Sequence, residues 1–364
     1  MRDVVKRVLV SGATGAIGVP LVRYLLHHGI EVCVLARQKP DLWETVRALF
    51  DERVRVLVGD VTESLCGVSS DKARSYTGLF DAFVHAAGKT QFHQELKEET
   101  YRTNKIGTAN ALALTTELEI PRFAFVSTCY VAGRKAYLDE SECGRIEDAH
   151  NPYEASKIEA EELVRLYPGA ALILRLSTVI GDAETGHVMN AGGYAAFVRG
   201  FWIARNRIRR YPDNPFWVGL NPESTFNLMT SDWVVDHIWK AVNSELVGTV
   251  HLSHPNPVSM GWLFEQSVQK LGLPLTYRRL EVERTALWHD PAWRKVQESI
   301  TKEILGYFGS YVTRDTTFGH ERVKLIPGYT PPISITERII AAQINYMVNR
   351  LFSRRRHLQN IEAA

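Results

Sequence analysis

The sequence predicts an α/β protein, a doubly wound parallel sheet with a smaller, mostly helical C-terminal lobe, and three observations carry that prediction. Short apolar, β-branched runs alternate with helix-length stretches through the first half of the chain. The first of those runs opens into a glycine-rich turn that leads straight into a helical pattern. The 364 residues are enough to bury a large core, and composition is that of an ordinary globular protein.

In order, Lys6 to Ser11 (KRVLVS) reads as a short buried strand and runs into GATGAIG, Gly12 to Gly18, with a helix to about His28. Glycines in such a turn let the main chain approach a pyrophosphate, and the helix N-terminus offers free N–H groups. Gly12, Thr14, Gly15, Ala16, Ile17 and Gly18 are therefore expected cofactor contacts. The second strand, Glu31 to Ala36, ends in Arg37 where an acidic residue would bind a ribose 2′-hydroxyl. Arginine there suits a 2′-phosphate, so the expected cofactor is NADP(H), with Lys39 able to share the role.

Val54 to Val58 is a third strand ending at Gly59-Asp60-Val61, where Asp60 can bond an adenine amino group and Val61 can pack on the ring. Asp81 to Ala86 is the fourth and ends HAAG; the small Ala86, Ala87 and Gly88 let a cofactor lie close, while His85 reads as a packed core histidine. A helix over roughly Glu99 to Glu117 carries Asn104. Arg122 to Ser127 is the fifth strand, and Ser127 and Thr128 stand at its carboxyl end, the edge where such sheets bind ligands.

Asn151 to Glu162 (NPYEASKIEAEE) then sets Tyr153 and Lys157 four apart at the start of a helix, on one face. A phenol titrates near ~10, and a neighbouring cation favours its ionised form, which suits it to acid–base work on a carbonyl. Tyr101 and Lys105 repeat the spacing but precede the strand that ends in Thr128, and are read as a chance pair.

In this order, Gly12-x-x-Gly15-x-x-Gly18, Asp60, Asn104, Thr128, Tyr153 and Lys157 resemble the extended short-chain dehydrogenase/reductase superfamily, whose pattern covers about Lys6 to Asp182. The resemblance implies a Rossmann-like fold. It also implies that Tyr153 protonates a carbonyl oxygen, Thr128 donates a hydrogen bond to that oxygen, Lys157 holds the nicotinamide ribose and Asn104 fixes a relay water. FVSTCYVAG, NPYEASKIEAEE and LRLSTVIGDAETG, with its Gly181-Asp182-x-x-Thr185-Gly186 loop, are similar to the thioester reductase and fatty acyl-CoA reductase branch, often labelled male-sterility-like. Ser177, where many relatives have proline or glycine, and the glycine of HAAG depart from that branch.

The second half is expected to be a substrate lobe, over 182–224 and 254–352, after a nucleotide-binding part over 1–181 that takes back a return segment, 225–253. Thr225 to Met229 and Gly248 to Leu252 read as strands with a helix from Asp232 to Asn243 between them. Helices are expected over Tyr194 to Arg207, Ser259 to Leu271 and Thr285 to Phe308, the last carrying Trp288 and Trp293. Arg199, Arg205, Arg207, Arg209 and Arg210 are the densest basic cluster, fit either to receive the phosphates of coenzyme A or a carrier protein, or to be a solvated helix face. Ser334 to Phe352 is amphipathic, and Arg354 to Arg356 begin a basic tail over 353–364. That helix either closes the lobe or makes peripheral contact with a membrane.

Charge is nearly balanced, 43 Lys+Arg against 41 Asp+Glu, which excludes a global nucleic-acid-binding role. Cys33, Cys66, Cys129 and Cys143 have no metal-ligand spacing and read as reduced thiols of a cytoplasmic protein without a metal. An apolar strand already under way by Val8 leaves no room for a signal peptide, and no apolar run is long enough to span a bilayer. The expected function is reduction of an acyl thioester or the derived aldehyde. A nucleotide-sugar epimerase or dehydratase, a hydroxysteroid-like dehydrogenase, and a non-enzymatic NADP-binding sensor are the alternatives; Arg37 argues against the NAD-preferring epimerases, and Thr128, Tyr153 and Lys157 argue against the sensor.

Overall fold

A computed structural model of the chain describes residues 5–39, 41–50, 52–189, 192–210, 216–278, 291–305, 311 and 315–352. Its centre is a seven-stranded parallel sheet built from β1 (Arg7–Ser11), β2 (Glu31–Ala36), β3 (Arg55–Val58), β4 (Ala82–His85), β5 (Arg122–Thr128), β6 (Ala170–Leu176) and β7 (Gly248–Leu252). The spatial order is β7-β6-β5-β4-β1-β2-β3, as the doubly wound prediction requires. Strand order therefore reverses between β1 and β4, and a crevice opens where their carboxyl ends diverge. Leu9, Leu57, Phe83, Phe123 and Phe125 are sealed in one core cluster with Leu114, Ala160 and Val164 from the covering helices. Val8, Val10, Val84 and Ala124, which face the other way, are buried too, and that burial on both faces explains why these strands read as apolar runs rather than alternating ones.

The helix Pro152–Arg165 starts sharply: Asn151 Oδ1 accepts from the Glu154 N–H at 3.0 Å, and Pro152 occupies the first turn. The helix expected over Glu99 to Glu117 is less regular. It comprises Lys97–Tyr101 and Gly107–Glu117 joined by a π-helical turn, Arg102–Ile106, that contains Asn104. Such a turn widens the helix locally and is a frequent mark of functional positions.

The chain divides into two compact units. One is Met1–Ser177, Ser231–Ser253 and Thr317–Pro331; the other is Thr178–Thr230, His254–Thr316 and Pro332–Ala364. The return segment is shorter than expected. Gly248–Leu252 does join the sheet beside β6, but the run Thr225 to Met229 breaks at Asn227, whose side chain exchanges hydrogen bonds of 2.8 Å each with the His254 backbone. Thr225–Phe226 pairs antiparallel with Val258–Ser259, and Leu228–Thr230 pairs with Thr178–Ile180, both outside the main sheet.

The second unit contains the helices Tyr194–Ile208, Met260–Lys270, Pro291–Leu305 and Glu337–Tyr346. The Gly181 to Gly186 loop has a structural job there. Asp182 Oδ1 accepts from the Thr185 N–H (2.8 Å) and hydroxyl (2.7 Å), and Gln343 clamps the loop by accepting from the Gly181 N–H and donating to the Asp182 carbonyl. The last helix turns Ile339, Ile340 and Ile344 into the interior of this unit, so the apolar face suggested for a membrane is already covered. The arginine cluster disperses: Arg205 is buried and stacks on Trp202, Arg207 donates to Ser299, and Arg209 reaches the Leu271 carbonyl but stays exposed, as do Arg199 and Arg210. Trp288 and the basic tail 353–364 lie outside the described residues, as does the Trp293 side chain. Among the described residues no helix is long and apolar enough to cross a membrane.

Candidate active site

At the crevice between β1 and β4 lies a cleft of about 540 Å³, and the glycine turn forms its floor. Gly12 has φ +69°, and a Cβ there would stand 2.5 Å from the Ala86 carbonyl carbon and the Ala87 nitrogen. A Cβ on Gly18 would stand 2.1 Å from the Gly12 carbonyl oxygen. Only glycine at both lets the turn fold against β4 and the helix fold against the turn. That helix, Gly18–His27, has no side-chain cap and no acidic residue in its first turn, so its positive end is left for an anion. The cradle fits the diphosphate of a dinucleotide. Thr14 and Gly15 line the cleft, while Ala16 and Ile17 complete the turn just beyond it and Gly18 is buried.

The far wall is formed by the loops that follow β2 and β3. Arg37, Lys39, Asp60 and Val61 line the cleft beyond the β2 and β3 ends. Arg37 and Lys39 are exposed and form no ion pair among the described residues. Asp60 Oδ1 is taken by the Thr62 N–H and hydroxyl, both at 2.9 Å, and the Val61 carbonyl accepts from Asn110 at 2.8 Å, which fixes that loop. Asp41, Thr45 and Thr103 share the wall without having offered any motif.

The near wall is Ala86, Ala87 and Gly88. A Cβ on Gly88 would sit 3.4 Å from both Asn104 Oδ1 and Lys157 Nζ, so this end of the cleft abuts the proposed reaction residues. Lys157 is 4% exposed, donates to the Val126 carbonyl at 2.9 Å and lies over the Phe125 ring. Burial pulls its ammonium down to about 8, against a smaller opposing pull from Glu161. Val126 is two residues short of Thr128, so the lysine is tied to the strand that ends in the threonine. Thr128 Oγ1 accepts from the Tyr130 N–H at 3.2 Å, leaving its own proton to donate. Tyr153 is half-buried, one turn before Lys157, with Phe92 tilted against its ring at 5.9 Å.

Asn104 acts as a clamp. Its Oδ1 accepts from the Lys89 N–H (2.7 Å), and its amide donates to the Lys89 carbonyl (3.0 Å) and Ser156 Oγ (2.9 Å). Ser156 in turn donates to the Tyr153 carbonyl at 2.8 Å. Both amide protons are thus spent on protein, so the side chain ties the π-turn to the helix of Tyr153 and has only a carbonyl lone pair left for a water. Ser127, also expected among the cofactor contacts, has its hydroxyl engaged elsewhere. Neighbours on a strand face opposite ways, and the Ser127 hydroxyl donates to Glu161 at 2.6 Å instead. His85 is a core residue, bonded to Ser11 and packed between Phe123 and Phe125; burial, with Lys157 adding to it, pulls it down to about 3, so it is neutral.

Two residues the sequence reading passed over complete the site from behind. Glu161 and Arg175 are both fully buried and pair through Nε at 2.9 Å and Nη2 at 2.8 Å. A signal was present, since Tyr153, Lys157, Glu161 and Arg165 recur every four residues along one helix face.

A family model described as male sterility protein matches residues 10–238. An uncharacterised membrane protein of Methanocaldococcus jannaschii is 24% identical over 309 residues, covering 82% of this chain and 81% of that one. UDP-glucose 4-epimerase of Pisum sativum is 26% identical over 196 residues, 50% of this chain and 54% of the pea enzyme, so the match spans about half of that relative. Among solved structures, the terminal R domain from the myxalamid PKS-NRPS biosynthetic pathway superposes with a TM-score of 0.76 at 22% identity, over 97% of this chain and 93% of that one. With the glycine cradle, the crevice at the strand reversal and the model matched across most of the sheet, the chain belongs to the male sterility protein family, NAD(P)-dependent enzymes of the extended short-chain dehydrogenase/reductase type.

Proposed function

We propose that this protein is an NADPH-dependent reductase of acyl thioesters, borne on coenzyme A or a carrier protein, or of the aldehydes derived from them. The observation that carries the reading is Lys157, a buried cation at the end of the nucleotide cleft, bonded to the strand of Thr128 and one turn from Tyr153. NADPH, when bound, supplies the hydride. The substrate oxygen takes a hydrogen bond from Thr128 and its proton from Tyr153, an oxyanion site placed beside the reductant. Lys157 holds the ribose and stabilises the phenolate left on Tyr153, and Asn104 keeps the helix and the π-turn in register around them.

A reduced thioester becomes a hemithioacetal and collapses to an aldehyde and a free thiol, which needs no cysteine nucleophile. Cys129 supports that economy, because burial pushes its thiol well above the ordinary range. The exposed Arg37 and Lys39 support NADPH over NADH. Likeness to a terminal R domain of a PKS-NRPS pathway supports a carrier-borne substrate. The unit with Thr178–Thr230 and His254–Thr316 is assigned as the substrate lobe, and the buried thiols of Cys33, Cys66 and Cys129 suit the cytoplasm.

The test is NADPH oxidation with octanoyl-CoA in the presence of a thiol reagent, with octanal in parallel. Coenzyme A release in fixed ratio to NADPH loss is expected. The pea relative favours a second reading, a nucleotide-sugar epimerase. Conversion of a UDP-hexose without net NADPH loss, and no thiol release, would replace the first reading with it.

A further inference from the structure

The Glu161 carboxylate lies in the protein interior with four donors converging on it: Ser127 Oγ at 2.6 Å, Arg165 Nη2 at 2.7 Å, and Arg175 Nε and Nη2 at 2.9 and 2.8 Å. Arg175 is held from its other side by the Glu142 carbonyl at 2.8 Å and His251 Nε2 at 3.0 Å. His251 Nδ1 donates to the Gly319 carbonyl, so Nε2 is the accepting nitrogen. One carboxylate thereby joins the helix Pro152–Arg165 to β5, β6 and β7. It sits one turn beyond Lys157 on the same face, and among the described residues Lys157 itself bonds no carboxylate.

We propose that Glu161, gripped by Arg175, is a positioning residue for the reaction: it fixes the register of the helix bearing Tyr153 and Lys157 and is the buried counter-charge of the Lys157 ammonium. This rests on the reductase reading of Tyr153 and Lys157. The surroundings of Lys157 leave few other candidates for that charge. On β4 the facing group is His85, which is neutral. On the strand side Lys157 meets, among the described residues, the Val126 carbonyl and the Phe125 ring, and the π-turn brings the uncharged Asn104 to the same side of Gly88. Lys89 is neutralised by Glu99, and Lys105 by Glu159. Arg175 and Arg165 bring positive charge, but each delivers it onto Glu161.

The role is tested without cofactor or substrate by following the Lys157 signal of protein labelled at lysine Cε through a pH titration, the signal being assigned by its loss in Lys157→Met. In Glu161→Gln the midpoint is expected to fall by about one pH unit or more, since a counter-charge within a turn has been removed. Should that variant fail to fold, Glu161→Asp keeps the carboxylate but draws it back by one methylene, and a smaller fall of the Lys157 midpoint in the same direction is expected. A folded variant whose Lys157 titrates at the wild-type pH overturns the proposal. Loss of the reductase reading would show separately, as full turnover in Tyr153→Phe, and leaves the titration result standing.

Discussion

The two ends of the nucleotide cleft are built from opposite materials. At the Arg37 end the wall is backbone and solvated charge: a glycine turn, an uncapped helix terminus and two exposed cations. At the Lys157 end it is buried charge: an ammonium bonded to the Val126 carbonyl and, behind it, a carboxylate saturated by arginines and a serine. Solvated cations are screened and interchangeable, so the first end sets preference at little structural cost. Buried charges depend on every partner, so the second end ties chemistry to folding.

The contrast predicts opposite responses to substitution, beginning with the largest. Lys157→Met should cost roughly 10²–10⁴-fold in turnover. It should also raise the melting temperature at pH 7, because an ammonium pulled from its ordinary value to about 8 opposes folding by an amount on the order of 3 kcal/mol. Between about pH 8 and the ordinary lysine range the unfolded chain binds more protons at this residue than the folded one. Stability from this site therefore rises with pH across that window, and the wild-type melting temperature should approach that of Lys157→Met as it does. A variant that is both inactive and less stable would break the comparison.

Gly18→Val comes next. Its Cβ would meet the Gly12 carbonyl at 2.1 Å, so the turn must open; NADPH affinity measured by cofactor fluorescence should fall at least about tenfold, with stability lowered by roughly 1–3 kcal/mol. Arg37→Asp should leave the melting temperature unchanged while moving the NADPH-to-NADH preference toward NADH by about tenfold or more, one charged contact with the 2′-phosphate being worth over 1 kcal/mol. The smallest effect is expected from Arg209→Ala, an exposed side chain with one long hydrogen bond at 3.5 Å, within about 0.5 kcal/mol in stability. Its KM for octanoyl-CoA should be unchanged too, and a rise would restore the arginine cluster as a phosphate site.

The same contrast explains what could be read from the chain in advance. The parallel sheet and the cradle were legible because backbone demands leave sharp marks: Gly12 and Gly18 are the residues a close approach permits, and Val8 to Val10 the kind that a strand covered on both faces requires. Buried polar partners leave weaker ones. Ser127 beside Thr128 looked like a cofactor contact, and only the alternation of β5 turns its hydroxyl toward Glu161. Arg175 sits in an apolar strand and its partners are far away in sequence; nothing local announces His251 or Gly319. The arginines from Arg199 to Arg210 allowed two readings, a phosphate site or a solvated face, because charge density along a helix says nothing about which guanidinium will stack on Trp202 or bond a neighbouring element. Asn227 likewise broke an expected strand through partners at His254 that no periodicity reveals.

The central claim, that the face bearing Tyr153 and Lys157 is the reaction centre at the end of a separately built nucleotide cleft, is tested most directly by Tyr153→Phe. NADPH dissociation constant and turnover should be measured side by side on the same preparation. The account predicts a dissociation constant within about twofold of wild type and a turnover reduced by roughly 10²-fold or more. Turnover equal to wild type would contradict it, and so would a loss of activity matched by an equal loss of NADPH binding.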